Sequence, residues 1–130
     1  MAEVKKESGD LDGAEADYHE ALRIARKTDD HEGVATYTGN LADLGLARKD
    51  WPDAERLAHA AMVLAEGIGR LELIAANHHR LAEALLHQQR ASIALPHARK
   101  AVDIYTRLRH RDLAEAESTL AACEAACSGV

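Results

Sequence analysis

The sequence predicts an all-α chain, a solenoid of antiparallel helix pairs with six helices in about three repeats. Three observations predict it. Small residues recur at a fixed spacing of 40: Ala14, Ala54 and Ala94 form one set, and Ala21, Ala61 and Ala101, seven residues later, a second. The same residue classes recur around them, as Leu22, Met62, Val102 and then Ile24, Leu64, Ile104. A period in this range marks a repeat architecture. Composition agrees, because alanine fills roughly one position in five, aromatics make up 3% and Phe is absent. A core of Ala and Leu needs backbones that approach closely, which helices provide and a β-sandwich does not. Finally, apolar residues fall three, four and seven apart, and no stretch alternates as a strand would.

Taken in order, Leu11, Ala14, Tyr18, Ala21, Leu22 and Ala25 draw one stripe on a helix over 11–27. Asp29 to Gly33 reads as a turn, with Asp30 able to cap the next helix. That helix runs over 32–48 through Ala35, Leu41, Ala42, Leu44 and Leu46. Asp50 can cap a third helix over 52–66, and Pro52 suits its first turn, where no N–H is needed. Gly67-Ile68-Gly69 stops it. A fourth helix spans 71–88. The fifth begins near Ser92, or a residue or two later because of Pro96, and ends near Arg107. The sixth spans 112–127, with Ser128-Gly129-Val130 fraying. Turns of about four to six residues make successive helices antiparallel.

The bulk numbers exclude several classes of function. A net charge of −6 and a pI of about 5.7 provide no basic footprint for nucleic acid. Arg107, Arg109, His110 and Arg111 form a single short basic run, read as a solvated turn. No apolar stretch reaches the length of a membrane span, and Met1 to Asp10 has no signal-peptide core. Cys123 and Cys127 share a helix face as small buried thiols, and two ligands do not make a structural zinc site. Reduced cysteines fit a cytoplasmic protein.

The eight histidines form no chelating pattern. His78 and His79 point about 100° apart on a helix, His79 and His87 lie two turns apart, and no His-Glu-x-x-His occurs. They read as solvated or groove-lining side chains, and the repeat-equivalent His19 and His59 as surface positions. The serines lack a surrounding base or oxyanion motif, and no glycine-rich phosphate loop is present. No enzyme activity, metal or cofactor is implied.

Asn40-Leu41-Ala42, Leu44-Gly45, Lys49-Asp50-Trp51 and Ala54 together resemble the tetratricopeptide repeat. Ser8-Gly9-Asp10-Leu11 with Ala14 and Ala21 matches the turn and second helix, and Leu81-Ala82, Leu85, Gln89-Arg90-Ala91, Ala94 and Ala101 form a third copy. The period of 40 exceeds the family's usual length of about 34. The extra residues are expected in the turns, at 27–33 and 66–70, as in the longer repeats of kinesin light chains and bacterial regulators. The proline that usually ends the second helix is absent. The resemblance implies a right-handed solenoid whose first helices line a concave face.

By that register the inward positions are Thr36, Gly39, Asn40, Asp43 and Ala47, then Ala76, His79, Arg80, Glu83 and His87. Asn40 and Arg80 fall where carboxylate-clamp members place an Asn and a basic residue. Ala76 stands in place of an expected Lys, and Gly39 and Asp43 carry no clamp chemistry. The groove residues expected to hold a partner are therefore Thr36, Asn40, Asp43, His79, Arg80, Glu83 and His87. The expected function is a scaffold for a protein or peptide partner, without direct nucleic-acid or membrane contact. Alternatives are a peptide- or ligand-sensing arm of a larger bacterial regulator, or homo-oligomerisation through the solenoid ends. Met1-Ala2 corresponds to the middle of a first helix, and the last helix lacks a partner. Residues 1–130 therefore read as a single repeat domain cut from a longer protein.

Overall fold

The heptad-spaced alanines close into helices that meet through small side chains. The computed structural model describes residues 8–128. These form α1 (Ser8–Lys27), α2 (His31–Ala47), α3 (Trp51–Ile68), α4 (Leu71–Leu86), α5 (Ala91–Leu108) and α6 (Leu113–Ser128), with no strand among the described residues. The expected half-helix at Met1-Ala2 and the fraying at Gly129-Val130 lie outside them.

Each helix packs on the next in sequence. In addition α2 packs on α4 and α4 on α6, whereas among the described residues the backbones of α1, α3 and α5 do not approach one another. The structure therefore has two layers: α2, α4 and α6 crowd together on one side, and α1, α3 and α5 splay apart on the other.

The seam between layers is lined by alanine. Ala42, Ala54, Ala58, Ala61, Ala82, Ala94 and Ala101 are all fully buried. At the α2–α3 crossing a Cβ on Gly45 would lie 3.1 Å from the N, Cα and Cβ of Ala54, so glycine here serves close approach rather than an unusual backbone angle. Leu41, Leu81, Leu22 and Met62 fill the space on either side.

All five helix junctions are built alike. Asp29, Lys49, Gly69, Gln89 and Arg109 adopt left-handed φ values between 51° and 72°. The next amide then reaches back five residues: Asp30 to the Ala25 carbonyl (2.8 Å), Asp50 to Gly45 (2.9 Å), Arg70 to Ala65 (3.3 Å), Arg90 to Leu85 (3.0 Å) and His110 to Tyr105 (3.0 Å). This arrangement satisfies carbonyls that a helix end would otherwise leave bare. Asp30 and Asp50 cap α2 and α3 as expected, accepting from the Gly33 and Asp53 amides. Arg70 and Arg90 make no such cap and instead bridge to Glu32 (2.7 Å) and Glu55 (2.9 Å).

Several sequence expectations are corrected. The junctions take only residues 28–30, 48–50, 69–70, 87–90 and 109–112, so the repeat's extra length lies in helices of up to 20 residues. Gly67 continues α3, and Gly69 alone ends it. Pro96 lies inside α5, which starts at Ala91 rather than later. Cys123 is buried but Cys127 is exposed. His78 and His79 are 7% and 8% exposed, not solvated. His110 does not belong to a solvated run either: its ring stacks on Tyr105 at 4.6 Å, and its Nε2–H donates to Glu72 at 2.6 Å. Burial pushes the Tyr105 hydroxyl up to about 12.

A groove on the inner helix layer

Residues 40, 43 and 47 lie three and four apart, so they share one face of α2. That face looks into a cavity of about 390 Å³. Asn40, Asp43 and Ala47 line it from α2, together with Leu44 and Leu46; Glu83 comes from α4 and Glu115 from α6. Leu11 and Tyr18 of α1 close one side. Three of the expected groove residues, Asn40, Asp43 and Glu83, thus come together.

The other four do not line this cavity. Arg80 is spent inside the fold. Its Nε and Nη2 donate to the two Asp43 carboxylate oxygens at 2.7 and 3.0 Å, and its Nη1 donates to Asn77 Oδ1 at 2.8 Å. Asn77, fully buried, in turn donates to the Leu73 carbonyl at 2.9 Å. The guanidinium lies over α2 because Gly39 has no side chain: a Cβ there would fall 2.5 Å from Nη1 and 2.9 Å from Asn77 Oδ1. Gly39 is therefore part of the Arg80 seat, not a lining position. With all three nitrogens engaged, Arg80 offers no free fork to a partner's carboxylate.

His79 joins α4 to α6, with Nε2 2.8 Å from Thr119 Oγ1 and 3.8 Å from Glu83. His87 stacks its ring on Trp51, centroids 4.0 Å apart and 7° from parallel. Thr36 lines a separate shallow depression of about 240 Å³ with Asp30, Glu32, Gly33 and Tyr37.

Sequence reading missed Glu115, Tyr18 and Leu11. Glu115 is exposed like the other acidic residues of α6, Glu117 and Glu124. The two α1 residues sit on a second-type helix, which the family register assigns to the outer surface. Tyr18 and Leu11 carried one signal: both belong to the apolar stripe of α1.

Electrostatically the cavity is one-sided among the described residues, whose lining side chains include Asp43, Glu83 and Glu115 and no Lys, Arg or His. Burial raises the Glu83 carboxyl above its ordinary value; Glu115 and Asp43 add to the rise, while His79 and Arg80 oppose it. Among the described residues no group of three or more His, Cys, Asp or Glu side chains could hold a metal ion, and no helix is long and apolar enough to cross a membrane.

The family model of the tetratricopeptide repeat matches residues 1–66. The chain belongs to the tetratricopeptide repeat family. Its helix pairs and alanine seams are those of a tetratricopeptide solenoid, and such repeats mediate protein–protein interaction. Nothing matches the chain among curated proteins or among solved structures.

Proposed function

We propose that this tetratricopeptide domain is an interaction scaffold that holds a protein or peptide partner in the groove formed by α2, α4 and α6. The observation that carries the reading is the cavity itself. It opens on the inner layer and mixes an apolar wall with amide and carboxylate groups, the combination expected of a recognition site. Affinity would be spread over several side chains, so single truncations weaken binding by degrees.

Ala47→Trp places an indole in the cavity from a half-buried position. In pull-downs with this segment, partners retained by the parent are lost by Ala47→Trp, while helical content and melting temperature stay unchanged. A folded Ala47→Trp protein that retains the same partners excludes the groove.

A further inference from the structure

Taking the groove as the binding site, we infer that its partner is a peptide segment in which a lysine or arginine neighbours an apolar side chain. The cation pairs with Glu83 and Glu115, and the apolar group lies against Leu11, Tyr18 and Leu44.

Three carboxylates line the cavity: Asp43, Glu83 and Glu115. Asp43 is neutralised by the bidentate Arg80. Among the described residues Glu83 pairs with His79 alone, at 3.8 Å, and Glu115 has no ion-pair partner. No lysine or arginine among them pairs with either of these two carboxylates, and His79 is charged only when protonated. Glu83 is also partly withdrawn from water, its side chain being 40% exposed, and a carboxylate that loses hydration without gaining a partner is costly. A ligand cation supplies the missing charge, and the leucine and tyrosine wall buries the carbons beside it. Lysine and arginine suit such a place because their stems are apolar and their heads charged.

The opposite ligand fits poorly. A terminal carboxylate in the cavity would meet Glu83 and Glu115 with no free donor fork, since Arg80 is held by Asp43 and Asn77. The net charge of −6 adds long-range attraction for a basic segment.

The test uses three capped hexapeptides, one alternating Lys and Leu, one Glu and Leu, one Lys and Ser, titrated by calorimetry against the chain. The Lys/Leu peptide binds, the Lys/Ser peptide binds about tenfold more weakly, and the Glu/Leu peptide does not bind at matched concentration. The double variant Glu83→Gln, Glu115→Gln loses about tenfold or more in affinity for Lys/Leu. A control with the same change in net charge, Glu117→Gln with Glu124→Gln, alters exposed α6 residues outside the cavity and leaves affinity in place. Both variants are checked for unchanged helicity.

Equal or better binding of Glu/Leu, undiminished binding by the folded double variant, equal loss in the control, or no binding of Lys/Leu at all would each overturn the inference. Glu/Leu binding that Ala47→Trp abolishes removes the cation requirement but leaves the groove reading standing. Lys/Leu binding that Ala47→Trp does not weaken sinks both.

Discussion

Arg80 is an arginine turned inward. Two of its nitrogens tie α4 to the Asp43 carboxylate on α2, and the third donates to the fully buried Asn77 one turn back on α4. Removing it leaves the Asn77 carbonyl oxygen without its donor, a loss on the order of 1–3 kcal/mol for a buried polar group. Arg80→Ala should lower unfolding free energy by about that amount in urea titrations. A change of less than about 0.5 kcal/mol would show that water or another donor replaces it. Gly45 is the second position where one atom decides the packing. Ala54 leaves no room for a Cβ without displacement, so Gly45→Leu forces α2 off α3, at roughly 1–3 kcal/mol or more. Ala54→Leu and Ala61→Leu overpack the same seam from the other helix, where both alanines are fully buried. Melting temperatures matching the parent for all three would contradict the crossing described.

At the scale of the elements, the junctions carry a correctable strain. Four of the five left-handed positions are not glycine, and a side chain there costs on the order of 1–2 kcal/mol, partly offset by glycine's larger unfolded entropy. Gln89→Gly is therefore expected to stabilise the α4–α5 junction by up to about 1 kcal/mol, seen as a higher melting temperature. Gly13→Ala in α1, where a Cβ meets nothing within 4 Å, gives the contrasting gain from helix propensity alone. Between α4 and α5 sits a pair of histidines, His78 and His97, with Nδ1 atoms 2.9 Å apart and rings stacked at 5.1 Å. Nε2 of His78 lies 3.5 Å from Glu66 and makes no hydrogen bond among the described residues. Burial lowers both histidines below 6.5, and each also lies near another imidazole. The unfolded chain then takes up protons first, so stability is full above about pH 6.5 and falls as pH drops below it. Melting scans from about pH 7.5 to 5 should show this loss, and His97→Gln should flatten it. A variant with the parent's slope would place the proton uptake elsewhere.

Across the whole molecule, order follows neighbours. α4 packs against α2, α3, α5 and α6, whereas α1 among the described residues packs only on α2. In a solenoid, stability is close to a sum of such interfaces. Hydrogen exchange should therefore be slowest in α4 amides and fastest in α1, and the reverse order would refute a stack held by nearest neighbours.

The architecture was legible because packing at the seam selects residue type: Ala54 and Ala94 are fully buried, and a Cβ on Gly45 would lie 3.1 Å from Ala54. The junctions were not legible as a set. Their backbone angles are imposed by helix ending and by the next helix packing back, so Asp29, Lys49, Gln89 and Arg109 carry no shared side-chain signature. Of the groove residues expected from the family register, Asn40, Asp43 and Glu83 line the cavity. The register could not find that Arg80 is occupied, because that depends on a missing side chain at Gly39 on another helix. Nor could it single out Glu115, itself exposed like its neighbours, because lining the cavity is a property of the layer rather than of one helix.

The left-handed residues at 29, 49, 69, 89 and 109 stand 20 apart, half the spacing of the alanines. One helix with its turn is thus a module of constant length, and two modules make a repeat. Because both kinds of junction share one backbone design, the chain can be edited in whole modules. Excising 40 residues between equivalent turns joins an inner helix to an outer one and keeps the alternation of layers. Excising 20 joins two helices of the same layer and sends every later helix to the wrong side. Gain and loss of length in this array is therefore restricted to even numbers of modules.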